Sequence, residues 1–143
     1  MYGSSWGTTL ALEYYLKTKD PDLLSLTFQS PMFSEKDWMN DAKKLIKKLP
    51  EKYQTIIHTC HKINATDAKV YQEAIIEYYA RYVLRDKKKL QKLLTMSNEN
   101  GKKIYQYMWG DSEFRVTGTL KNYNRVLQSM RAMESEARVS IPR

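Results

Sequence analysis

Apolar residues along the chain fall mostly three or four apart and rarely alternate as strand positions do, which predicts helices. Residues 8–18 carry Leu10, Ala11, Tyr14 and Tyr15 on one side and predict a first short helix. Asp20-Pro21 reads as an N-cap followed by proline at the first helical position, so a second helical run is expected through Leu23, Leu24, Leu26 and Phe28. Ser34 opens the clearest amphipathic segment. Its "SEKD" start is capping-box-like, and Trp38, Ala42, Leu45 and Leu49 stack on one face, with Lys43, Lys44, Lys47 and Lys48 mainly on the other. Pro50 ends that helix, and Tyr53, Ile56, Ile57, Cys60 and Ile63 keep register in the next. A turn is expected at 64–66.

Thr66 is the expected cap of the next helix, with Asp67 beside the positive end of its dipole. No breaker interrupts 67–94, which predicts a helix of roughly 28 residues, about 42 Å long. Its first half is apolar through Val70, Tyr71, Ala74, Ile75, Tyr78, Tyr79, Tyr82 and Val83; its second half, "RDKKKLQKLL", is cationic. "SNENGKK" reads as a loop, "IYQYMW" as a short aromatic segment, and Gly110-Asp111 as a turn. A last helix is expected from about residue 119 to 137, with Leu120, Tyr123, Leu127 and Met130 as its buried seam. The expected fold class is therefore all-α, a helical bundle or long helical hairpin. At 143 residues it forms one helical domain: an N-terminal segment 1–31, central helices 32–94, and a loop and terminal helix 95–143.

Composition adds little to that until charge is counted. Hydrophobic residues at 42% and charged ones at 28% suit a globular chain rather than a disordered one. The formal charge of +8 favours polyanions as partners. Between Glu77 and Glu99 the only acid is Asp86, against Arg81, Arg85, Lys87, Lys88, Lys89 and Lys92. Three consecutive lysines on a helix are splayed by about 100° each, so they wrap it with charge. A phosphate-contacting role and a plain solvated face weigh about evenly for this run. The single cysteine, Cys60, excludes an intrachain disulfide and fits a reducing cytoplasm. No signal-peptide pattern and no apolar run of about 18 residues is present, so a soluble protein of the cytoplasm, with no membrane partner, is expected.

Catalytic chemistry is not apparent in the sequence. His58, Cys60 and His61 fall at i, i+2 and i+3, a spacing that turns the cysteine away from at least one histidine, and no fourth metal ligand is near. Asp37 and Asp41 lie one turn apart but among lysines, as solvated carboxylates do. No phosphate loop, nucleophile elbow or Cys-His constellation is recognised. A non-enzyme without metal or cofactor is expected. "LPEKYQTII" (49–57) looks like the opening of a sigma-factor DNA-recognition region, but the glycine-centred turn and recognition helix do not come after it.

A broader likeness runs from about residue 33 to 143. "FSEKDWMNDAKKLIKKLP", then "TDAKVYQEAIIEYYARYVLRD", then "NENGKK" and finally "NYNRVLQSMRAMESEARVSIPR" resemble, in order and spacing, the small terminase subunit family of tailed double-stranded-DNA phages. The resemblance implies a non-catalytic packaging protein in the host cytoplasm. It would assemble as a homo-oligomeric ring, bind double-stranded viral DNA and present it to the large terminase subunit. Candidate DNA contacts are Lys43, Lys44, Lys47, Lys48, Arg85, Lys87, Lys88, Lys89 and Lys92. A head-tail connector or neck protein and a transcription regulator are the rival readings.

Overall fold

Residues 2–29, where the apolar pattern predicts two helical runs, fold as strand, helix, strand. The computed structural model describes residues 1–86, 88–90, 92 and 99–137, with side chains to Arg131 in the last helix. Strand β1 (Tyr2–Ser4) leads into α1 (Trp6–Thr18), and β2 (Thr27–Gln29) returns parallel to β1 in the register Tyr2↔Thr27, Gly3↔Phe28, Ser4↔Gln29. Parallel neighbours need a crossover, and α1 supplies it. Then come α2 (Glu35–Ile46), α3 (Glu51–Lys62), α4 (Lys69–Tyr82), α5 (Glu99–Trp109) and α6 (Val126–Ala137). The expected all-α bundle is thus corrected to a mostly helical chain with a small parallel sheet.

The chain divides into two units, Met1–Trp38 with Asn122–Arg143, and Met39–Lys121, the division falling within α2. In the first, α1 buries Thr8, Thr9, Ala11 and Leu12. The returning segment is bound beside it: Ser34 and Asn124 form an antiparallel bridge, flanked by Glu35 N–H to Tyr123 O (2.9 Å) and Arg125 N–H to Phe33 O (2.7 Å). Arg125 Nε also meets Glu13 Oε1 on α1 at 2.7 Å. Ser34 Oγ accepts the N–H of Asp37 (3.2 Å), the serine half of the expected capping box. Asp20-Pro21 starts no helix. The Asp20 carboxylate accepts the Asp22 N–H (2.9 Å) in a local turn, and Leu24 beyond it is 91% exposed.

The second unit packs α3 against α4 around Ala42, Leu49, Ile57, Cys60, Tyr71, Ala74, Ile75, Tyr78 and Phe114. The single long helix expected over 67–94 is not formed. Its start is at Lys69, with no side-chain cap from Thr66, and its end at Tyr82, where the amides of Val83 and Leu84 both turn back to Tyr79 O. Asp86 then restarts helix as a cap, its Oδ1 accepting the N–H of Lys88 (3.0 Å) and Lys89 (3.2 Å). An aspartate inside a helical pattern can therefore mark a new start rather than a solvated interior position. Helix α5 begins inside the segment read as a loop, and Gly110 (φ 84°) makes the expected turn. The last helix starts later than expected, at Val126, and Leu127 and Met130 are exposed rather than a buried seam.

The ring expectation leaned on large aromatics that a single chain could not bury. Tyr71 and Tyr78 are 3% and 4% exposed within this one chain, so they need no second copy to cover them. Among the described residues, no helix is long and apolar enough to cross a membrane. Leu12, with 0% exposure, anchors α1. Leu12→Ala should cost about 2–5 kcal/mol, read as a lower urea midpoint of unfolding at unchanged slope.

Candidate active site

The turn from β1 into α1 reads Gly3-Ser4-Ser5-Trp6-Gly7, and Ser5 sits at its apex with φ 53° and ψ −128°. A left-handed φ is strained for a residue with a β-carbon, and needs surrounding structure to hold it. Here the Ser5 N–H donates to Gln29 O at the end of β2 (2.9 Å), while Ser5 O accepts from the Thr8 N–H (3.0 Å) and the Thr8 hydroxyl (2.6 Å). Ser5 occupies the N-cap position of α1, where a serine hydroxyl ordinarily caps the helix, yet it makes no side-chain cap. The side chain is exposed. Beneath it, Gly3 admits no side chain: a β-carbon there would lie 2.5 Å from Gly7 O and 2.9 Å from Thr8 Cα. At Gly7 a β-carbon would meet nothing within 4 Å, so that position is open on its own account.

A strand, a serine at positive φ, and a helix starting at the next residue have the form of the G-x-S-x-G turn in which a serine hydroxyl is presented at a strand-to-helix corner. The amides of Trp6 and Gly7 belong to the first turn of α1, where backbone N–H groups have no intrahelical acceptor and face positive potential. Such donors suit an oxyanion. Sequence reasoning recognised no turn of this form, and the geometry at Ser5 is what it missed. The signal was present as two glycines flanking Ser5 at the motif spacing, but the preceding strand is only three residues long and shows no alternation.

The second unit holds the histidines and a half-buried carboxylate, Glu113. His61 Nε2 lies 2.9 Å from the Tyr71 hydroxyl, which lies 2.5 Å from Ser112 Oγ. Arg115 donates to His61 O (2.7 Å) and to Asn64 Oδ1. Burial, then the Arg115 guanidinium and His58, lowers the His61 pKa to about 4. The Tyr79 hydroxyl bonds Glu113 Oε1, and Tyr105 Oη accepts the Glu113 N–H (2.9 Å). Burial raises the Glu113 carboxyl above its ordinary range, the Tyr79 hydrogen bond pulling the other way. His58, Cys60 and His61 do not converge, and among the described residues no three His, Cys, Asp or Glu side chains could hold a metal.

The residues read as DNA contacts all belong to this second unit. Lys43 and Lys44 are exposed on α2, Lys44 pairing with Asp41 at 2.9 Å, and Lys47 and Lys48 are exposed in the turn after it. Arg85 is exposed in the break after α4. Lys88, Lys89 and Lys92 are exposed beyond it, with Lys89 Nζ 3.9 Å from Asp86. Lys87 lies outside the described residues. The restart at Asp86 means that these cations do not extend the apolar face of α4 as one rod.

No protein-family model matches the chain. Curated relatives do. It is 39% identical over 127 residues to a proline iminopeptidase of Heyndrickxia coagulans, spanning 88% of this chain and 44% of that protein. It is 30% identical over 125 residues to one of Saccharolobus solfataricus, spanning 87% and 40%. Among solved structures it is similar to VinJ, with TM-score 0.75 and 26% identity over 86% of this chain and 42% of that one. The proline iminopeptidase of Mycobacterium smegmatis has the same fold over 89% and 43%, at TM-score 0.67 and 24% identity. The chain thus spans less than half the length of the relatives it matches.

These likenesses overturn the packaging reading. The small-terminase resemblance is corrected, and with it the DNA, large-subunit and ring partners and the connector and regulator alternatives, because the relatives are peptidases over nearly the whole chain. The non-enzyme expectation is corrected on the same finding. Its physical root is plain: an amphipathic helix, a tyrosine-rich helix and an Asn-Gly stretch in series describe many small helical units, whereas a strained serine between strand and helix describes few.

The Ser5 turn and the half-buried His61 each generate a test. Gly3→Ala should displace the turn, seen as loss of the positive φ at Ser5 in a crystal structure of the variant, while Gly7→Ala should leave Ser5 in place. His61 is held below its unfolded value of about 6.5, so folding favours its neutral form. Its contribution is complete above that pH and is lost as pH falls towards the folded value. Urea midpoints at about pH 7 and about pH 4.5 should therefore differ less in His61→Gln than in the wild type.

Proposed function

We propose that these 143 residues supply the nucleophile and a helical insert of an α/β-hydrolase of the proline iminopeptidase kind, acting on peptides that begin with proline. The observation that carries this reading is Ser5 at φ 53° on the β1–α1 turn, and the 39% identity to the Heyndrickxia coagulans peptidase supports it. In the reaction, Ser5 Oγ attacks the carbonyl carbon of the amino-terminal residue as a base takes its proton. The Trp6 N–H, directly after the nucleophile, is one donor to the oxyanion as the carbonyl π pair moves onto oxygen. Collapse of that intermediate breaks the C–N bond, the leaving amine takes the proton, and water then releases the acyl group from Ser5.

The unit that holds Ser5 contains no histidine: His58 and His61 both lie in Met39–Lys121, and His61 is engaged with Tyr71. In α/β-hydrolases the triad runs serine, acid, histidine along the chain. With the relatives more than twice as long as the matched region, we assign the acid and the base to the part of such a protein that these residues do not include. The unpaired Cys60 fits a cytoplasmic setting.

A chimera tests the reading. When this chain replaces the matching region of the Heyndrickxia coagulans protein, it should hydrolyse a prolyl arylamide, and Ser5→Ala should remove at least about 10⁴-fold of kcat. Activity that survives Ser5→Ala would overturn the assignment.

A further inference from the structure

We propose that Thr8 is a positioning residue for Ser5, a role that rests on the hydrolase reading above and deepens it. Thr8 is fully buried, and its hydroxyl is used twice: it donates to Ser5 O (2.6 Å) and accepts the N–H of Met32 (3.1 Å). The neighbouring Thr9 hydroxyl donates to Met32 O (2.6 Å). Both peptide groups of Met32, just beyond β2, are therefore tied to the first turns of α1 by two adjacent threonines. Met32 itself is 3% exposed, so water cannot stand in for either bond.

This arrangement fixes the elbow from its far side. The Ser5 N–H is held by Gln29 O, and the Ser5 carbonyl by both donors of Thr8. With its two peptide groups held at opposite ends, Ser5 is kept at positive φ and its hydroxyl away from the capping position it would otherwise take. Threonine is not needed here for bulk, since valine has nearly the same shape. What valine lacks is the hydroxyl that joins the nucleophile's carbonyl to the segment after β2.

The test compares Thr8→Val with Thr8→Ser, which keeps the hydroxyl. In the 143-residue chain, nuclear magnetic resonance should show the Met32 amide exchanging about tenfold faster in Thr8→Val, where its hydrogen bond is lost. The Ser5 backbone couplings and carbon shifts should leave the values of its positive-φ conformation in that variant, and Thr8→Ser should restore both. In the chimera, Thr8→Val should lower kcat by up to about 10²-fold through misplacement of Ser5, with KM within about twofold, and Thr8→Ser should recover it. Thr8→Val with Ser5 still at positive φ and unchanged kcat would reduce Thr8 to packing and overturn the proposal. An inactive wild-type chimera would instead defeat the hydrolase reading, while the resonance comparison would still decide whether Thr8 holds Ser5.

Discussion

At the end of β1 the backbone of Gly3 runs so close to Gly7 and Thr8 that no β-carbon fits between them. That approach is possible only because the chain reverses sharply at Ser5, and the reversal requires a positive φ that serine adopts at a cost of about 1–3 kcal/mol. The strain is offset by hydrogen bonds from both sides, Gln29 on the strand side and Thr8 on the helix side. The short parallel pairing of β1 with β2 places Gln29 where the Ser5 amide needs it. Strand register, helix start and serine conformation are one interlocked arrangement.

The helical unit is organised differently, by polar groups buried among aromatics. Tyr71 reaches from α4 to His61 on α3 and to Ser112 in the segment after α5, and Tyr79 reaches from α4 to Glu113 in the same segment. Phe114 packs edge-on against Tyr78 at 4.7 Å. Ser112, Glu113 and Phe114 are thereby fixed to α4 by three different interactions. A carboxylate held in such surroundings needs each of its donors, since buried polar groups left unsatisfied are more costly than those never buried.

The net charge of +8 is the most visible feature of the chain and its least useful one. Lysines at 43, 44, 47 and 48 are exposed opposite an apolar seam, and Lys88, Lys89 and Lys92 are exposed after Asp86. Positive surface of this kind speaks to solubility and to encounter with anions, not to fold or reaction.

Periodicity determined the α2 segment with Ala42 and Leu49 inward, and the α3 and α4 faces that form the core, because burying an apolar stripe imposes a spacing visible along the chain. For α1 it gave the helix but not its face, since Leu10 and Tyr14 are exposed while Thr8, Thr9, Ala11 and Leu12 are buried. Where the sequence misled, the deciding force was not periodic. Asp20 and Asp86 each accept nearby amides through their carboxylates, one making a turn and the other a new helix start. Strands of three residues carry too few positions to alternate, so β1 and β2 exist only through their pairing with each other. Ser5 obeys the same logic. Its neighbours Gly3 and Gly7 were visible in the sequence, but its conformation depends on a φ angle held by Gln29, 24 residues away, and a serine at positive φ is stable only once that tertiary hydrogen bond has formed.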